Sequence, residues 1–278
     1  MEGDGFSWQG FEHALRTERI DDSTFEARCQ PGRGNRIFGG NVAAHAVMAT
    51  ASRSASDLVP LSLHVHFLRA GDALFPVIYD VTALRSGRSF EHWRVDARQG
   101  EHLIATHVVV LHRPESGPVH AAVDVEPESP EDLPSITSQP RAGTNPSIRA
   151  GFDMRRGRRW TADEPDRLPF QRVWFRCREP LPADPALRAA VLVWASDLEL
   201  VWAADLPYRE RTTSRYAASL DHVVHLHSPL DPSAWWLYEQ ECPSLEQGRA
   251  LVHGRVFAAG RLAASVSQQA LLRLELAD

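Results

Sequence analysis

The stretch ALRAAVLVWASDLEL, residues 186–200, is the one place in the chain where a continuous apolar run meets a carboxylate. Residues 189–195 are all apolar, and a helix with no polar side must be surrounded rather than laid on a surface. The run is far too short for the roughly 20 residues that span a bilayer, so it predicts a core helix wrapped by sheet. If the helix continues through Leu200, Asp197 shares a stripe with Ala190, Val193, Leu200 and Val201 at the spacings of one helix face. A carboxylate buried there without partners costs several kcal/mol, so it is either satisfied structurally or used chemically. A second reading competes. Ser196 and Glu199 have the S-x-x-E spacing of a capping box, which would put Asp197 in the first turn of a second helix. The stretch alone leaves both open.

Composition narrows the field. Of 278 residues, 43% are hydrophobic and 24% charged, as in ordinary globular chains. A net charge of -6 argues against nucleic acid as partner. All 30 basic residues are arginine, which excludes Schiff-base chemistry and a P-loop lysine. Cys29, Cys177 and Cys242 are odd in number and widely spaced, the pattern of buried thiols rather than a disulfide framework or zinc site. The opening residues, Met1-Glu2-Gly3-Asp4, are acidic where a signal peptide would be basic, and no apolar run reaches membrane length. A cytoplasmic protein without membrane contact is expected.

Outward from the 186–200 run, the chain reads as two similar halves. A short amphipathic helix is expected over 6–15 and strands over 17–20 and 24–29, before Pro31-Gly32-Arg33-Gly34-Asn35 breaks the chain. Gly39-Gly40-Asn41 opens a second apolar helix, and strands come next over 61–68, 75–85, 90–98 and 103–112. Residues 114–150 form a proline-rich linker without periodicity. Strands over 152–155 and 170–177, the 186–200 helix, and strands over 215–226, 235–242, 250–258 and 262–274 complete the second half. AVMATAS at 46–52 matches AVLVWAS at 190–196, an offset of 190 − 46 = 144. His66 and Asp72 match His225 and Asp231, an offset of 225 − 66 = 159. Two copies of a helix-plus-four-strand unit, each an antiparallel sheet curled round an apolar helix, give an α+β double hotdog. The expected units are residues 1–113 and 151–278, with the linker between them.

Under the duplication Arg53 is the counterpart of Asp197, so the carboxylate is not shared scaffold. In the last strand Val266, Gln268, Ala270 and Leu272 alternate onto one face, leaving Gln268 a lone amide among apolar neighbours. It is either a satisfied core residue or a positioner of water or substrate. Alternation groups Ser219 with Asp221 on a more polar face, where it reads as a strand hydroxyl. No G-x-S-x-G elbow supports a serine nucleophile. His64-x-His66 and His225-x-His227 pair imidazoles on strand faces, but no H-E-x-x-H or carboxylate cluster completes a metal site, so neither metal nor cofactor is expected. Arg155, Arg156, Arg158 and Arg159 read as a solvated turn or, alternatively, as a phosphate contact.

RIFGGNVAAHA, LHVHFLRAGD, PVIYDVTALRSGRSF, QRVWFRCREPLP, WASDLEL, ASLDHVVHLHSP, WWLYEQECPS and GRLAASVSQQALLR, in this order, resemble the acyl-CoA thioesterase II (TesB-like) family of double-hotdog enzymes over nearly the whole chain. The resemblance implies hydrolysis of acyl-CoA to free acid and CoA. It also implies that Asp197, Ser219 and Gln268 hold the attacking water, serine standing where threonine is common. Thioester hydrolysis needs donors for the developing oxyanion. The backbone N–H groups of Gly39 and Gly40 are candidates, with a sharp helix start as the plainer reading. His64 occupies a histidine position of the family, and homo-oligomers are expected from the resemblance. Two alternatives remain. Asp57-x-x-Pro60 ahead of His64 faintly suggests an enoyl hydratase or dehydratase, although the G-D-x-N-P-x-H pattern is incomplete. A non-hydrolytic acyl-CoA-binding or biosynthetic protein would keep the fold and lack turnover.

Overall fold

A computed structural model describes residues 9–122, 128–139, 145–164 and 166–277; parts of the expected 6–15 helix and of the linker lie outside these residues. Among the described residues three α-helices form: α1 (Phe11–Ala14), α2 (Gly39–Ala51) and α3 (Pro185–Ser196). Asp184 caps α3 by accepting from the Ala186 N–H at 2.9 Å, and Pro185 takes the first position, where no amide proton is needed. Every residue from Ala190 to Ser196 is buried, as a helix with no polar side requires. Both expectations for residues 196–200 are corrected. The helix stops at Ser196 instead of running to Leu200, and Asp197 is its C-cap. Ser196 is not an N-cap, because its hydroxyl lies 2.8 Å from the Val193 carbonyl one turn back. Glu199 takes a left-handed φ of 66° before a 3-10 turn, Leu200–Ala203.

The strands are β1 (Glu18–Arg19), β2 (Thr24–Ala27), β3 (Val59–Phe67), β4 (Val77–Ser86), β5 (Phe90–Gln99), β6 (His102–His112), β7 (Phe152–Arg159), β8 (Phe170–Cys177), β9 (Thr212–Ser219), β10 (Asp221–Leu226), β11 (Trp236–Glu246), β12 (Arg249–Ala258) and β13 (Arg261–Leu276). They join in one antiparallel sheet ordered β1-β2-β4-β5-β6-β3-β10-β13-β12-β11-β8-β7, with β9 also against β13. The halves meet at the β3–β10 ladder, where His64 pairs with Val223. The offset of the duplication, 64 + 159 = 223, carries His64 onto that same partner, so the pseudo-twofold axis passes through this pair. The result is the expected double hotdog, with α2 and α3 packed together inside the curled sheet. Arg53, just past α2, donates to the Val81 carbonyl at 2.9 Å and lies 5.2 Å over the Trp93 ring.

Two further readings change. The arginines at 155–159 sit in a strand rather than a turn: Arg155 pairs with Asp153, Arg156 with Glu199 and Arg158 with Glu164. The described part of the linker is tied to both halves, by Ile136 N–H to the Met154 carbonyl at 2.9 Å and Asn145 N–H to the Gly32 carbonyl at 2.7 Å, and it buries Ile136 and Ile148. Its 3-10 turn, Pro146–Arg149, delivers Arg149 to Glu199.

The first half buries polar side chains as well. His45, fully buried on α2, meets the Tyr79 hydroxyl at 3.1 Å and the Ala14 carbonyl at 2.9 Å, and His107 donates to the Val95 carbonyl at 2.8 Å. Burial pulls both imidazoles down to about 4, against a backbone hydrogen bond acting the other way. An unfolded chain, titrating near 6.5, therefore binds protons that the folded one refuses. Stability present above pH 6.5 is lost as pH falls toward 4, with a limiting slope near 2.7 kcal/mol per pH unit for two protons at about 1.36 each. Urea unfolding from pH 7 to 4 measures this, and a flat midpoint would refute it.

Candidate active site

The N-terminal end of α2 meets the C-terminal end of α3, and glycine makes the approach possible. A Cβ on Gly40 would lie 2.6 Å from the Trp194 carbonyl oxygen, and one on Gly39 would lie 3.0 Å from Asp197 Oδ2. With no side chain between the helices, the Gly40 N–H donates to Asp197 Oδ2 at 2.9 Å. The contact satisfies one of the amides that a helix start leaves without an internal acceptor, and it places an anion at the positive end of the α2 dipole.

Two strands supply the other partners. Simple alternation puts Ser219 on the face of Asp221, but the ladder shifts between them. Ser219 pairs with Ala270, a sum of 489, whereas Val223 pairs with Ser267, a sum of 490. Leu220 is the extra residue of a β-bulge, and such an insertion reverses the side on which later residues fall. Ser219 is thereby brought to the inner face with Ala270 and Gln268, correcting the polar-face reading. Its hydroxyl donates to Asp197 Oδ1 at 3.4 Å, and Gln268 Nε2 donates to the same oxygen at 3.2 Å and to Ser219 Oγ. Gln268 is 1% exposed, with Val266, Ala270 and Leu272 on its face as alternation requires. Three elements thus converge on one carboxylate.

A second layer pins the turn after Asp197. Glu199 is held by Arg149 and by Arg156, the latter at 3.4 Å, while its carbonyl accepts from Gln171 Nε2 at 2.9 Å. Gln171 also donates to Gln240 at 2.6 Å, and Gln240 to the Leu198 carbonyl at 3.4 Å. Local spacing suggests only a capping role for Glu199. The arginines on its carboxylate lie 43 or more residues away in the chain, so no short window announces them. Missed too was His222, fully buried between Ser196 and Gln268. A signal existed, because His222 and Val224 alternate inward while Asp221 and Val223 do not.

Asp197, Ser219 and Gly39 line a cavity of about 390 Å³ whose walls include Phe38, Val42, Phe67, Ile104 and Trp202. On its exposed side stand Arg33, Arg36 and Arg69, none with a carboxylate within ion-pair distance among the described residues. Two expected contacts are revised. Gly40 commits its N–H to Asp197, so of the glycine pair Gly39 is left as a backbone donor at the cavity. His64 points away from the cavity, on the outer sheet face, edge-on to His225 at 5.3 Å, because Leu63 and Val65 take the inward positions. Burial and the neighbouring imidazoles of His225 and His66 lower its pKa.

A family model for "Acyl-CoA thioesterase" matches residues 155–271, and one for "Acyl-CoA thioesterase N-terminal domain" matches residues 30–113. The crystal structure of an acyl-CoA thioesterase II, TesB2, from Mycobacterium marinum is 31% identical, covering 95% of this chain and 97% of that one with a TM-score of 0.80. This chain belongs to the acyl-CoA thioesterase II (TesB-like) family. Acyl-CoA thioesterase 2 of Haemophilus influenzae is 29% identical over 274 residues, 94% of this chain and 96% of its own. A dehydratase domain from Pseudomonas fluorescens aligns at 12% identity and a TM-score of 0.55, a likeness of fold alone. No helix among the described residues is long and apolar enough to cross a membrane.

The glycine contact carries a direct test. Gly40→Ala forces α2 and α3 apart against a backbone oxygen, so overpacking should cost about 1–3 kcal/mol. Activity should fall more than that loss of folded protein explains, and a variant of wild-type stability and turnover would contradict the packing described.

Proposed function

We propose that this chain hydrolyses acyl-CoA thioesters to free acid and CoA, with Asp197 as general base on a water held by Ser219 and Gln268. The observation that carries the reading is a carboxylate gathered by donors from three elements at the wall of a cavity with apolar side chains within and arginines on its exposed side. Water gives a proton to Asp197 as its oxygen bonds to the thioester carbon. The carbonyl oxygen gains the negative charge, for which the Gly39 N–H is the proposed donor. Collapse of the tetrahedral intermediate breaks the carbon–sulfur bond, and the proton on Asp197 passes to the departing thiolate. No cofactor enters the reaction.

The apolar walls suit an acyl chain, and Arg33, Arg36 and Arg69 suit the phosphates of CoA, which guanidinium forks match well. We infer further that the protein works in the cytoplasm, in lipid metabolism, as a homo-oligomer. Three free, buried cysteines fit a reducing compartment, and Leu84 of β4, Phe90 of β5 and Val108 of β6 are exposed apolar side chains.

Asp197→Asn should lower kcat by about 10²- to 10⁴-fold with little change in KM, since it removes the base and keeps the shape. Release of free thiol from a panel of acyl-CoAs measures it, and undiminished turnover would remove Asp197 from the role. Arg36→Ala should raise KM for acyl-CoA and weaken its rise with salt, while an acyl-pantetheine without nucleotide phosphates should respond to neither. Equal effects on both substrates would take Arg36 out of phosphate binding.

A further inference from the structure

The three groups around Asp197 are arranged correctly only if the Gln268 amide points one way. Its Nε2 faces Asp197 Oδ1 and Ser219 Oγ, and its Oε1 faces His222 Nδ1 at 3.2 Å. Turned over, the amide would set an acceptor oxygen against a carboxylate and lose its donor to the hydroxyl. On the far side of the amide lies His222, fully buried on β10, with Nε2 2.8 Å from Ser196 Oγ at the end of α3.

We propose that His222 is a positioning residue: as the neutral tautomer with its proton on Nδ1, it donates to Gln268 Oε1 and so locks the amide with its nitrogen toward Asp197. Of the two neutral tautomers, the hydrogen bonds close on this one only. Gln268 Oε1 can only accept, so Nδ1 must carry the proton; Nε2, then a lone pair, accepts from the Ser196 hydroxyl, which is shared with the Val193 carbonyl. Burial holds the imidazole below its ordinary pKa, against the Asp197 and Asp221 carboxylates and the Gln268 bond, which act to raise it. Ser196 is fixed in turn by its place in the helix and by Tyr238, whose hydroxyl donates to the Ser196 carbonyl at 2.8 Å. The chain Tyr238, Ser196, His222, Gln268 thus runs from the core to the reacting centre without an exposed member, and of its links only the last meets Asp197 through a hydrogen bond.

The inference rests on the hydrolase reading for its kinetic arm only. Two polar substitutions separate the ring nitrogens. In His222→Asn the amide nitrogen takes the place of Nδ1 and can still donate to Gln268; in His222→Gln the amide takes the place of Nε2 and cannot. Asparagine should recover most of kcat, whereas glutamine should lose about 10- to 100-fold in kcat with KM unchanged, the scale set by misplacement of a catalytic group. In a Gln268→Ala background the same His222→Gln change should cost less than about twofold, since a residue acting only through another adds nothing once that other is gone. A purely structural histidine predicts the opposite: losses following thermal stability, additive with Gln268→Ala, and no preference for asparagine. Any of these would overturn the proposal. Independently of turnover, nitrogen NMR of the full chain at neutral pH should find the His222 proton on Nδ1, and a proton on Nε2 would sink the inference even if hydrolysis is confirmed. Absence of hydrolysis by the wild type would defeat the functional reading while leaving the NMR result to decide the tautomer.

Discussion

One carboxylate spans the gap between two core helices. Asp197 sits at the end of α3, where the helix dipole disfavours an anion, and faces the start of α2, where it favours one. The Gly40 amide proton resolves the conflict by taking one carboxylate oxygen, and that is possible only because neither Gly39 nor Gly40 brings a side chain into the gap. The other oxygen is left for Ser219 and Gln268. The arrangement of the cavity wall, the early stop of α3 and the left-handed turn at Glu199 all serve to hold that carboxylate at an apolar boundary. Non-glycine residues at positive φ cost about 1 kcal/mol or more. Glu199 is kept there by two guanidiniums and the Gln171 amide, which reach it from the linker turn, β7 and β8.

The sheet contributes a single irregularity that matters as much. β13 is long enough to carry β10 and β9 end to end along one edge, and the extra residue at Leu220 lets the two ladders meet while the strand changes sides. A strictly regular strand would have turned the Ser219 hydroxyl outward, leaving Asp197 and Gln268 without their shared neighbour. The same stretch also carries His222 inward, so two residues on opposite sides of the bulge reach one site.

Much of this was legible in the sequence. The all-apolar run 189–195 required a surrounded helix, the repeated segments required two similar units, and alternation in β13 placed Gln268 on the inner face, where it is found. What was not legible had long-range causes. Alternation failed at Ser219 because a bulge is set by a pairing partner far along the chain, not by the strand's own pattern. The capping-box reading of Ser196 and Glu199 failed because the Ser196 hydroxyl turns back to the Val193 carbonyl and to His222, while Arg149 and Arg156 take the Glu199 carboxylate, and distant partners leave no trace in a short window. His64 was expected at the site from the resemblance alone, whereas its strand neighbours Leu63 and Val65 take the interior positions.

The pseudo-twofold axis through His64 and Val223 relates two halves that are not chemically equivalent, for where α3 ends in Asp197, α2 ends near Arg53, tied to Val81 and stacked on Trp93. An assembly of identical single units must carry every substitution twice, so a change that sharpens one site also alters its mirror image. Fusion removes that obligation. Each half of one chain can change alone, and here one helix end is closed off by an arginine while the other ends in a carboxylate.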